Sequence, residues 1–153
     1  MKKKYIWLLI FLYILFIFSN SLQVGSTSSS ISGGFTTTLL SLLKYIGIQI
    51  EYATLHHFIR KAAHFIEYAV LGILVFIAIH IEPLLQNQTL NFILFWILPA
   101  SLDETIQVFV PDRNGCITDV LLDMCGFLTG SILIYLIRKL VKKHSLHHEH
   151  VSD

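Results

Sequence analysis

The sequence predicts an all-α membrane protein: four transmembrane helices, with an interfacial or re-entrant helix between the first and second. Three observations lead there. Of the 153 residues, 54% are hydrophobic and only 14% charged, with a mean hydropathy of +0.67. A soluble domain carries about 25% charged residues, so this chain has too few to cover a water-facing surface. Apolar runs recur along the chain at close to the roughly 20 residues needed to cross a bilayer, and lysine and arginine gather at the two ends. The lipid bilayer is therefore the expected partner. A net charge of +1 gives no electrostatic reason to expect nucleic acid. Cys125 lies inside an apolar run, a poor place for a bridge to Cys116, so no disulfide framework is expected.

The first helix spans about residues 5–24. Lys2, Lys3 and Lys4 precede an apolar run from Tyr5 to Phe18 that Ser19, Asn20 and Ser21 close. A basic start and a short apolar core also describe a signal peptide, but no small-x-small cleavage site follows Phe18. Residues 25–34, GSTSSSISGG, read as a flexible turn. From 35 to 50, Phe35, Leu39, Leu42, Leu43 and Ile46 recur at helical spacing while Thr36, Thr37, Thr38, Ser41 and Lys44 interrupt them. That pattern suits a helix lying in the interface.

The second span covers about 58–81, closed by Pro83 and the polar Gln86 to Gln88. The third runs over about 90–110, where Pro111 breaks it, and the fourth over about 117–137. Residues 138–153 form a basic, His-rich tail in which His144, His147, His148 and His150 read as solvated. His56 and His57 read as headgroup contacts. One membrane domain accounts for the chain, with no internal repeat.

Orientation follows from the charges. Three lysines precede the first span and four basic residues (Arg138, Lys139, Lys142 and Lys143) follow the last, so both termini are expected in the cytoplasm of a bacterial plasma-membrane protein. Lys44, Arg60, Lys61 and Arg113 then face outward. At 1.5 Å per residue, Glu67 lies about 10 Å below Arg60 and Asp103 about 10 Å below Val110. Asp119 and Asp123 sit in the first turns of the last span. Three helices thus place their charges at one depth in the outer leaflet.

These charges form the candidate site: Arg60, His64, Glu67, Asp103, Glu104, Gln107, Arg113, Asp119 and Asp123. An ionisable residue within a span costs about 2.5–3.5 kcal/mol on insertion scales, so several together call for partners or a task. Arg60, His64 and Glu67 share a face at i, i+4, i+7, and Asp119 shares one with Asp123, Gly126 and Gly130. Glycines at 126 and 130 allow the last span to pack closely on a neighbour. The expected result is a polar pocket open to the outside.

The pattern R-K-x-x-H-F-x-E-Y at Arg60 to Tyr68 resembles that of the VanZ-like family of bacterial membrane proteins. So do D-E-x-x-Q at Asp103 to Gln107, P-x-R at Pro111 to Arg113, and D-V-x-x-D/N-x-x-G from Asp119 to Gly126. Asp123 stands where many members carry asparagine. The resemblance implies a small multi-spanning protein of the cell envelope. The family's founding member is associated with low-level resistance to the glycopeptide teicoplanin, so an effect on glycopeptide susceptibility is the implied function.

Three chemical readings of the pocket remain open. The charges can pair to hold the helices together, with Arg60 against a carboxylate and Arg113 against Asp119 or Asp123, although buried ion pairs are often no better than apolar contacts. They can form an acid–base or metal-assisted enzyme: His64 titrates near neutral pH, adjacent carboxylates separate into acid and base, and Arg60 and Arg113 suit a phosphate or carboxylate. The substrate would then be a lipid or a lipid-linked cell-wall precursor. Or the pocket can capture a lipid headgroup or glycopeptide without chemistry. No cofactor is firmly implied. His64, Glu67 and the aspartates offer enough ligands for a divalent metal such as Mg²⁺, Ca²⁺ or Zn²⁺, but two nearby guanidinium groups oppose a bare cation.

Overall fold

A computed structural model describes residues 5–22, 25–111, 113 and 115–149, the stretches 25–32 and 144–149 as backbone only. The described residues form five helices and no strand: α1 (Tyr5–Ser21), α2 (Gly25–Tyr45), α3 (Tyr52–Ile81), α4 (Gln88–Val108) and α5 (Ile117–Glu149). Two of them, α3 and the Ile117–Lys143 part of α5, are long and apolar enough to cross a membrane, not the four expected. α1 is apolar throughout but has 17 residues. α4 has the length, at 21 residues, but Gln88, Asn91, Asp103, Glu104 and Gln107 dilute its apolar character. About a third of the most apolar window of α3 and of α5 is buried, so most of each faces outward. The outward side chains of α1 and α5, among them Leu8, Phe11, Leu12, Leu121, Ile132 and Leu133, are exposed hydrophobics. Apolar surface on this scale marks contact with lipid or protein.

Helices α1, α3, α4 and α5 alternate in direction. Trp7 of α1 stacks near Phe95 of α4 and donates its indole N–H to the Glu82 carbonyl oxygen after α3, while Asn20 and Ser21 at the far end of α1 reach Glu67 and Gln107. α1 is thus parallel to α4 and antiparallel to α3. Trp96 donates to the Met124 carbonyl oxygen and Glu104 accepts from the Cys116 N–H, so α4 runs antiparallel to α5.

The largest interface joins α3 and α5, which run parallel. Gly126 lies against the Phe65 backbone, Gly130 against that of Ala69, and Gly72 against that of Phe127. An ideal Cβ at these glycines would fall 2.4, 1.9 and 2.1 Å from the facing carbonyl oxygen. The close packing expected of Gly126 and Gly130 is therefore present, with Gly72 completing it from the other helix. Tyr68, Leu71, Val75, Ala78, Ala100 and Phe127 fill the core beneath the site, with Ile6, Ile10 and Ile17 of α1 against them.

Several boundary expectations are corrected. Residues 25–34 are not a turn: the backbone is helical from Gly25. The segment contains no proline, and further along the helix the hydroxyls of Thr37, Thr38 and Ser41 donate to carbonyls three or four residues back rather than competing with the helix. The helix also stops at Tyr45, short of residue 50. Gly47 takes φ 84° and donates to the Lys44 oxygen while Ile48 donates to the Leu43 oxygen. That is a Schellman C-cap, and the positive φ is why glycine stands there. α3 starts six residues before the expected 58, α4 is capped by Asn87 accepting from the Leu90 N–H, and α5 continues through Glu149 into the stretch read as a tail.

Candidate functional site

The alternation brings the C-terminal ends of α1 and α4 and the N-terminal ends of α3 and α5 to one end of the bundle, where all nine candidate residues lie. They sort into three arrangements rather than one pocket.

Nearest the surface is a cleft of about 210 Å³ lined by His57, Arg60, Lys61, His64, Gln107, Arg113 and Asp119. The one carboxylate among its described lining residues, Asp119, is engaged by Lys61 at 2.5 Å. Arg60 has no ion-pair partner among the described residues. Arg113, from the turn after α4, is nearly buried and donates through Nη2 to the Asn20 carbonyl oxygen at 3.4 Å. Burial, and after it the like charge of Arg60, pulls the Arg113 guanidinium below its ordinary pKa. Among its described lining residues the cleft sets Arg60, Lys61 and Arg113 against the one carboxylate of Asp119.

Beneath it lie Asp103 and Asp123, 0% and 1% exposed. His64 bridges the two levels, lining the cleft and facing Asp103 Oδ2 across 3.8 Å. Gln107 donates through Nε2 to the same Asp103 oxygen and to Ser21 Oγ, both at 3.3 Å. One ligand atom from each of His64, Asp103 and Asp123 falls within 4.8 Å of the others, a possible metal-binding group.

The remaining two expected residues serve the scaffold. Glu67 turns toward α1 and accepts from Asn20 Nδ2 at 2.9 Å, while Tyr13 donates to the Glu67 carbonyl oxygen. Glu104 Oε2 accepts the Cys116 N–H at 2.8 Å and so ties the start of α5 to α4. A carboxylate accepting a donor at a helix N-terminus suits the helix dipole.

Sequence reasoning missed the contribution of α1, whose Asn20 and Ser21 read only as the end of an apolar run. Their signal was depth: both stand where the first span meets the level of Glu67 and Gln107. Lys61 and His57 also belong to the cleft lining, Lys61 having been counted among the basic residues but not in the site.

No curated protein and no solved structure matches the chain. The VanZ/LLP1 family model matches residues 5–138, which takes in α1 to α4, α5 as far as Arg138, and every described residue of the cleft. The chain is a member of the VanZ/LLP1 family.

Proposed function

We propose that this protein is a multi-pass membrane protein of the bacterial cell envelope whose cleft faces the outer leaflet and binds the anionic headgroup of an amphiphile. The carrying observation is the cleft's lining: Arg60 has no ion-pair partner among the described residues, and the one carboxylate among the described lining residues, Asp119, is already engaged by Lys61. Two guanidinium groups that raise each other's energy at one small opening are relieved by an anion, and guanidinium pairs with phosphate through two parallel hydrogen bonds. Lipid phosphates and lipid-linked cell-wall precursors present such a group at headgroup depth. Through that binding the protein lowers glycopeptide susceptibility, as the family resemblance implies.

The test measures binding of a polyprenyl phosphate to the full chain in detergent, alongside teicoplanin susceptibility of cells expressing it. Charge-assisted hydrogen bonds contribute about 1.5–3 kcal/mol, so Arg60→Gln should weaken binding roughly tenfold or more. The same variant should abolish the gain in tolerance while membrane level stays unchanged. Unaltered binding in Arg60→Gln would sink the headgroup reading.

A second reading, acid–base chemistry on the bound headgroup, rests on His64 standing between the cleft and Asp103. It predicts turnover of the bound lipid that His64→Gln abolishes without loss of binding. Recovery of the lipid unchanged after prolonged incubation would count against it.

A further inference from the structure

Helix packing does not explain the floor of the cleft. Three helices each deliver one polar group to a single buried point: His64 from α3, Asp103 from α4 and Asp123 from α5. Asp103 Oδ1, both carboxylate oxygens of Asp123 and His64 Nδ1 are buried without a hydrogen-bond partner. Asp103 Oδ2 is held by Gln107, which orients that carboxylate and leaves Oδ1 open. An unpartnered buried carboxylate costs several kcal/mol, and a leucine at 123 would pack without that cost.

A divalent cation meets every one of these demands. It neutralises two carboxylates, takes the imidazole lone pair and satisfies the open oxygens at once. Ca²⁺ takes six to eight oxygens, and Mg²⁺ requires near-octahedral oxygen and keeps most of its water. One nitrogen and two carboxylates form a mixed, compact set that suits a transition ion instead. Three protein ligands with one side left toward a cleft is the form of an open zinc site. We propose that His64, Asp103 and Asp123 bind a divalent transition-metal ion, zinc foremost, beneath the basic cleft. The proposal stands apart from the headgroup reading, since zinc retention requires no lipid and headgroup binding no zinc.

The experiment uses Zn²⁺ itself on the full chain in detergent, purified through a tag without histidine. His144, His147, His148 and His150 are replaced by alanine so that the C-terminal end cannot bind the ion. The protein is stripped with EDTA, reloaded, dialysed and analysed for metal by mass spectrometry. The expected result is roughly one zinc per chain. Asp123→Asn and His64→Ala should each weaken affinity by more than about 100-fold, beyond the 10–100-fold cost of losing an outer-shell partner. Negligible zinc in the chain with the site intact, or equal retention in both variants, overturns the proposal. If either variant loses its helix content, Co²⁺ in the intact site decides. Visible bands displaced by Zn²⁺ uphold the site, and their absence overturns it.

Discussion

Replacing Gly126 with alanine tests the helix contact that carries His64 to Asp123. A Cβ at position 126 would lie 2.4 Å from the Phe65 carbonyl oxygen and 3.2 Å from its carbon, where real contacts are not found below 3.0 Å. α3 and α5 must therefore part by at least ~0.6 Å, because the obstacle is backbone and cannot rotate away. Gly130 and Gly72 hold the two helices at similarly short distance on the core side, so the strain cannot be shed by a simple tilt. Overpacking of this kind costs about 1–3 kcal/mol, which is roughly 5- to 150-fold in the ratio of folded to unfolded protein. The assay is unfolding of the full chain in detergent, followed by tryptophan fluorescence and circular dichroism. Gly34→Ala is the control: it lies within α2 and its Cβ would meet nothing within 4 Å. Helix propensity alone should then stabilise that variant by up to about 1 kcal/mol. Equal shifts of the same sign for the two variants would refute the claim that α3 and α5 meet backbone to backbone.

The Lys61–Asp119 pair is about a third exposed on each side. A double-mutant cycle with Lys61→Ala and Asp119→Ala should therefore give a coupling of at most about 1 kcal/mol, falling with added salt. Asn91 is fully buried and its side chain bonds both the Leu85 N–H and carbonyl oxygen in the turn before α4. Asn91→Leu leaves those groups unpaired and should cost about 1–3 kcal/mol in the same unfolding assay. For topology, an impermeant maleimide should label Cys116 in intact cells carrying Cys125→Ser, and protection until lysis would invert the proposed orientation. The Thr118 hydroxyl, 3.1 Å from Cys116 Sγ, lowers the thiol's pKa and so favours the thiolate. Thr118→Val should slow labelling several-fold near neutral pH, and the difference should vanish at a pH above both thiol pKa values.

Much of this architecture is legible in the sequence because lipid simplifies the code. Charged residues inside apolar runs are costly, so where they occur they must share a depth, and Arg60, His64, Asp103 and Asp123 do meet at one end of the bundle. The glycine spacing at 126 and 130 likewise announced a close helix contact. Helix ends were harder. Residues 25–34 look like a loop only if small polar side chains are taken as breakers, yet serine and threonine can satisfy their hydroxyls on their own helix. The number of apolar helices was overread because α4 carries its site residues within its own length, so one stretch must serve both span and site.

The division of labour within the site was not legible, and the reason is physical. Sequence spacing gives the face and depth of a charge but not its partner. Glu67 and Asp123 had equal claims, both acidic and both in the right half of a span. The structure separates them by what comes to meet them: Asn20 reaches Glu67 from a helix four dozen residues away in sequence, while both carboxylate oxygens of Asp123, close to His64 and Asp103, are buried without a hydrogen-bond partner. Glu104 and Asp103 are neighbours in sequence, yet consecutive helical positions point about 100° apart. One side chain therefore fastens the start of α5 and the other enters the core. A charge that finds a donor on its own scaffold is accounted for by folding. Among the described residues Arg60 above and the Asp123 carboxylate below find no such partner, and it is this remainder, not the total count of charges, that argues for a ligand.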